Sequence, residues 1–179
     1  VLLDNRTAGC GVHFGRNGVD AKSQKDLDSN ERDEAVLNRQ DLDSSYRRAH
    51  PPECLDMIGE AWSEFPAADF DVISQKIEFV GCNYHKRVIT KADPSTLVER
   101  ATRVNLPNQI YTETGWEVFP SALTDVLVWF KKHYGDTPVY ITENGAAFYD
   151  PPTPIDGVVD DPLRVYYLRE HIKAVSTAI

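Results

Sequence analysis

The chain has 179 residues, 41% of them hydrophobic and 26% charged, with a formal net charge of −9. That length is ample for a domain with a buried core. The acidic balance argues against a nucleic-acid backbone as the main partner, and no apolar run approaches the ~18 residues of a membrane span.

From its first residue, Val1, the sequence shows neither an initiator Met nor a signal-peptide pattern. A short apolar stretch at 12–14 has the character of a strand. Residues 20–53 are polar and charged, with a helix expected over 29–37 and acidic residues in its first turns. The composition shifts near residue 54. A short helix is expected over 54–65, a buried strand over 78–84, and a long polar connection over 86–111. A second helix should begin with Pro120 at its first position and stop at Gly135. An apolar strand over 138–143 then leads into the turn pair Asn144-Gly145. The last helix starts near Asp161-Pro162, with Val165, Leu168, Ile172, Val175 and Ile179 falling on one apolar stripe. No Gly or Asn cap follows that stripe, so both ends look cut and the chain reads as a segment of a longer or split protein. Trp62 and Trp129, inside helical patterns, are expected in the core.

Helix and strand alternate, and both good strands are apolar on both faces, as in a parallel sheet covered by helices. Ligands of such sheets sit beyond the carboxyl ends of the strands. That selects Asn83-Tyr84-His85 and Thr142-Glu143-Asn144-Gly145. A carboxylate there is costly to bury unless paired, so Glu143 is either a catalytic group or a structural residue that anchors a turn. Topology alone leaves both open. Other constellations fail. Asp26, Asp28 and Asn30 imitate the opening of a calcium loop, but Glu31 stands where the turn needs Gly, and Leu37 where the bidentate Glu belongs. Asn5-Arg6-Thr7 is a glycosylation sequon that means nothing without secretion. The five histidines are too scattered for a zinc cluster. Cys10, Cys54 and Cys82 are odd in number and far apart, which favours a reducing, cytoplasmic setting over a disulfide framework. No cofactor or metal is expected.

The segment Tyr-Ile-Thr-Glu-Asn-Gly-Ala-Ala-Phe at 140–148 resembles the nucleophile signature of the family 1 glycoside hydrolases, the β-glucosidases and β-galactosidases. Glu-Thr-Gly-Trp-Glu-Val-Phe-Pro at 113–120 is similar to the family segment that carries an aglycone-side tryptophan. Gly81-Cys82-Asn83-Tyr84 resembles the family's Asn-Tyr-Tyr strand end, and residues 156–164 fit its lead into the next helix. Order and spacing agree from about residue 54 onward. The resemblance implies an α/β fold, part of a TIM (β/α)8 barrel with about two to three of its eight βα units. It implies a retaining β-glycosidase, with Glu143 as the nucleophile and Asn83 and His85 as its hydrogen-bond donors. Trp116, Tyr84 and Asn144 would bind a small β-glycoside or oligosaccharide. Attack on the anomeric carbon needs an ionised carboxylate ~5–5.5 Å from a second, protonated carboxyl group.

The sequence also departs from the family. His85 stands where a second tyrosine is expected, and a His that merely satisfies a loop carbonyl is an equal reading. Gln40 and Asp41 replace two large buried aromatics, each costing about 1–3 kcal/mol if buried unpaired, and His50-Pro51 replaces a Tyr-Pro. Residues 1–53 therefore match the family thinly, and 54–179 well. The Thr-x-Asn-Glu-Pro motif of the acid/base Glu is absent and is expected ahead of Val1. The isolated chain should then be nearly inactive, and the remainder of the barrel or a second copy of the chain is its expected partner. The competing reading is a non-catalytic, sugar-binding remnant of a barrel.

Overall fold

The computed structural model describes residues 9–11, 23–97, 99–150 and 153–179. A short strand, β1 (Gly9–Gly11), precedes a long helical run. This run comprises α1 (Gln24–Glu34), a π-helical stretch at Ala35–Arg39, and α2 (Gln40–Arg47). Ser23 caps α1, accepting from the Asp26 amide. Next come α3 (Pro52–Ile58), a 3₁₀ turn at Gly59–Ala61, and α4 (Asp69–Ile73). Strand β2 (Val80–Asn83) is followed by β3 (Thr90–Ala92) and β4 (Ala101–Arg103), then by α5 (Ser121–Tyr134), β5 (Val139–Glu143) and α6 (Pro162–Ala178).

Strands β1, β2 and β5 form a parallel sheet in that order, and β3 and β4 form a separate antiparallel pair. The core lies between the sheet and the helices. Val80, Cys82 and Tyr84 of the β2 segment meet Leu42 of α2, Leu123, Val126 and Phe130 of α5, and Ala174 of α6. Tyr134 of α5 donates its hydroxyl to Asp43 of α2 at 2.8 Å, so this buried carboxylate is not left bare. Thr124 donates to the Ala174 carbonyl at 2.8 Å and ties α5 to α6. Gly135 ends α5 at φ +90°, a conformation costly for any residue with a Cβ.

Several expectations change. The strand expected at 12–14 lies outside the described residues; among those described, residues 9–11 pair with β2. The helix expected at 29–37 is the middle of a run over 24–47. The helix expected at 54–65 gives way to a 3₁₀ turn at Gly59. Gln40 and Asp41 are exposed, so no buried-polar penalty arises there. His50 accepts or donates at 3.0 Å with Ser44 and packs edge-on to Trp62, which is half-buried in an aromatic cluster with Phe65. Trp129 is likewise half-buried, at the margin of the core. Pro120 is the cap of α5 and not its first residue.

The long connection holds the β3–β4 pair, docked on α1. The Ala92 amide bonds Asp26 at 3.1 Å, and Arg32 donates to the Glu99 carbonyl at 2.9 Å. The polar face of α1 thus receives polar backbone. The apolar stripe of α6 is largely exposed at Val165, Leu168 and Ile172, and the buried face is Tyr167, His171 and Ala174. Strand β5 has one open face, because Tyr140 and Thr142 are covered by no helix among the described residues.

Candidate active site

The carboxyl ends of β2 and β5 lie side by side. Their register runs Cys82 to Ile141 and then Asn83 to Glu143, so Thr142 is an extra residue on β5. Strict alternation would send residue 143 the way of Val139 and Ile141, toward the helices. The irregularity re-aims it, and the Glu143 side chain is 60% exposed. The ladder closes with the Tyr84 amide donating to the Glu143 carbonyl at 2.9 Å. Thr142 donates to Asn83 Oδ1 at 2.6 Å, which fixes the amide plane and leaves its NH2 as the donor end.

His85 Nε2 lies 3.3 Å from Glu143 Oε2, and Nδ1 lies 3.2 Å from the Gly145 carbonyl oxygen. The two readings of this residue, carboxylate partner and loop-carbonyl partner, are therefore both present. Both partners are acceptors. The ring donates to both only when doubly protonated, and to one of them when neutral. The His85 ring also packs against Trp116 at 5.2 Å.

Trp116 sits on a tight turn in which the Gly115 amide bonds the Thr112 carbonyl and the Trp116 amide bonds the Thr112 hydroxyl. Gly115 takes φ +74° there. Trp116 is half-buried, with the Lys86 ammonium 5.0 Å from its ring centre. Its neighbour Glu117 is buried in a paired bond to Arg87 at 2.6 and 2.8 Å, and Arg87 stacks on Phe119. This ion pair anchors the turn that presents the indole.

Two expected contact residues face the scaffold. Tyr84 is 0% exposed and donates its hydroxyl to the Phe119 carbonyl at 2.7 Å, and burial pushes its phenol up. It offers no surface to a sugar. Asn144 is half-buried and gives its amide to the Tyr84 carbonyl at 2.8 Å and the Tyr167 hydroxyl at 3.2 Å. Sequence reading missed two supports on α6. Arg164 holds the Ala146 and Phe148 carbonyls of the loop after Glu143 and pairs with Asp161. Tyr167 reaches the His85 carbonyl at 3.0 Å. The arrangement places an exposed carboxylate, a carboxamide, an imidazole and an indole around one strand-end mouth, a set suited to binding a polyhydroxylated ligand and attacking it.

The family profile described as Glycosyl hydrolase family 1 matches residues 13–179. A 1,4-beta-D-glucan glucohydrolase of Thermotoga neapolitana is 38% identical over 143 residues, covering 77% of this chain and 32% of that protein. A 6-phospho-beta-galactosidase of Clostridium acetobutylicum is 28% identical over 183 aligned positions, covering 87% of this chain and 38% of that protein. Among solved structures, a beta-glucosidase from Thermotoga maritima in complex with deoxynojirimycin superposes with a TM-score of 0.83 at 30% identity, over 96% of this chain and 37% of that one. The chain thus spans about a third of the length of the relatives it matches. These neighbours imply a TIM-barrel fold, of which the described residues form a few strands and no closed barrel.

Proposed function

The chain belongs to glycosyl hydrolase family 1, and on that premise we propose that it supplies the nucleophile half of a retaining β-glycosidase of β-glucosidase type. In this reading Glu143 attacks the anomeric carbon of a small β-glycoside. The bond to the departing oxygen breaks, and a glycosyl ester forms on the carboxylate. The single observation that carries it is the exposed Glu143 carboxylate at a strand end, re-aimed by the register shift and met by His85. Asn83 would donate from its amide to the sugar or the carboxylate, and Trp116 would cover the aglycone side by packing its face on C–H groups. Tyr84 and Asn144 would act from behind, by fixing the two strand ends.

These 179 residues hold no Thr-x-Asn-Glu-Pro motif, so in this reading they lack the general acid, whose assistance is worth about 10²–10⁴-fold. Unactivated glycosides would therefore turn over slowly with this chain alone. A low-pKa leaving group needs no proton, so an activated 2-deoxy-2-fluoro glucoside isolates the nucleophilic step. We expect one glycosyl adduct by intact mass, mapped to Glu143 and abolished in Glu143→Gln. Sugar binding with no adduct, even after the rest of the barrel is supplied, would make the chain a binding remnant. A cytoplasmic setting belongs to the same reading and is supported by Cys54 and Cys82 being buried free thiols, the latter pushed up to about 12 by burial and so inert.

A further inference from the structure

Tyr167 lies on the inner face of α6, one of the largest fully buried side chains of the molecule, with 1% of its surface exposed. A buried hydroxyl must find partners, and this one finds them on both strand-end segments. It donates to the His85 carbonyl at 3.0 Å and accepts from the Asn144 amide at 3.2 Å. His85 is the second residue beyond the end of β2, and Asn144 directly follows Glu143. One phenol therefore holds both chain segments past the point where the ladder ends at the Tyr84 amide. It grips the very backbone whose side chains, His85 and Glu143, meet at 3.3 Å.

The phenol is itself fixed. Its ring stacks on His171 at 3.9 Å with 28° between planes. His171 is buried and gives its Nδ1 to the Tyr167 carbonyl at 2.7 Å. Burial pushes the Tyr167 phenol up to about 12, so the donor is present at every working pH.

We propose that Tyr167 is a positioning residue of the carboxylate site, setting the separation of His85 and Glu143 through the His85 carbonyl and the Asn144 amide. It touches no substrate. The inference rests on the reading of Glu143 as nucleophile for its catalytic meaning, but the geometry it asserts is testable without turnover.

The test is side-chain nitrogen NMR of the histidine rings in the 179-residue chain. The His85 ring signals are assigned with His85→Gln, and the displacement caused by Glu143→Gln defines loss of the carboxylate contact. Tyr167→Phe removes one oxygen and keeps the stack on His171. We expect it to move the His85 signals at least a third of the way toward those of Glu143→Gln. Tyr134→Phe is the control, because Tyr134 is also buried and its hydroxyl is bonded to Asp43, away from the site. It should lower the melting temperature by a similar amount and leave His85 unmoved. The proposal is overturned if Tyr167→Phe leaves the His85 signals at their wild-type positions, if Tyr134→Phe moves them equally, or if Glu143→Gln does not move them at all. Absence of a fluorosugar adduct on Glu143 would remove the glycosidase reading while leaving this result standing, so the two failures are distinguishable.

Discussion

His171 shows how a single side chain can set a condition on the whole face it joins. Its Nδ1 bonds the Tyr167 carbonyl, and its Nε2 has no hydrogen-bond partner although it is buried. Burial depresses its pKa below the ordinary 6.5, the carbonyl opposes this, and the His85 charge adds to the depression. The sign follows from proton linkage: the folded state binds the proton less readily than the unfolded state. The contribution of neutral His171 is complete above pH 6.5 and is lost as pH falls below it, by at most about 1.4 kcal/mol for each pH unit until the folded-state pKa is reached. His171→Phe keeps the shape, removes the orphan nitrogen and cannot titrate. We expect its thermal stability at pH 7.5 to stay within about 1 kcal/mol of wild type. Between pH 6.5 and 5 it should lose less than wild type. Parallel melting curves for the two proteins across that window would refute the assignment. The carboxylates with lowered pKa, such as Asp26 and Asp161, act only in a more acid range. At this scale the strand-end placement of Glu143 and His85 was legible, because both follow apolar strands; topology left Glu143 open between catalysis and a turn anchor, and only the family resemblance favoured the first. Tyr84 was not, since a residue one step past a strand can face either way. Tyr167 was hidden because a tyrosine followed by a histidine four residues on does not read as an inward helix face.

At the scale of elements, the decisive feature is the register shift between β2 and β5. Gly81 faces Thr142 across it: a Cβ at residue 81 would stand 3.1 Å from both Thr142 Oγ1 and Cγ2. Thr142 cannot rotate away freely, because its hydroxyl holds Asn83. Gly81→Ala would ordinarily gain about 0.5–1 kcal/mol from backbone entropy, while pushing a side chain off its rotamer costs about 0.5–1.5 kcal/mol and the Asn83 bond about 1 kcal/mol more. We expect Gly81→Ala to be destabilising by about 1 kcal/mol, and Gly81→Ala with Thr142→Ala to be more stable than the sum of the two single changes by a similar amount. Additivity in urea unfolding would show that the two residues do not press on each other. Strands β2 and β5 were readable as apolar runs, and helices α5 and α6 because they are long and begin or end at Pro or Gly. The β3–β4 pair was unreadable: three-residue strands of polar composition give no period. It is docked on α1, whose Asp26 bonds the Ala92 amide and whose Arg32 bonds the Glu99 carbonyl, so the polar, charged stretch is in part an interface.

For the molecule as a whole, the apolar surface left open has a definite layout. Val165, Leu168 and Ile172 of α6 are 45–69% exposed on one stripe, and Tyr140 stands on the open face of the sheet. Among the described residues β1 and β5 each have one strand neighbour, so each leaves an edge unpaired. Contiguous apolar patches and free strand edges both favour association. The solved relatives of this fold are barrels of which this chain covers about 37%, and closing a barrel removes edges altogether. We expect the 179-residue chain at tens of micromolar to sediment as a concentration-dependent mixture with mass above that of a single chain. Replacing Val165 and Ile172 by Lys and Glu should reduce that mass while leaving the unfolding transition in place, since neither side chain belongs to the core. Supplying the remainder of a family barrel as a separate chain should compete with self-association, and hydrolysis of an unactivated β-glucoside should rise as the larger species disappears. A chain that sediments as a monomer at every concentration, with no gain in hydrolysis on mixing, would mean that these faces are solvated as they stand.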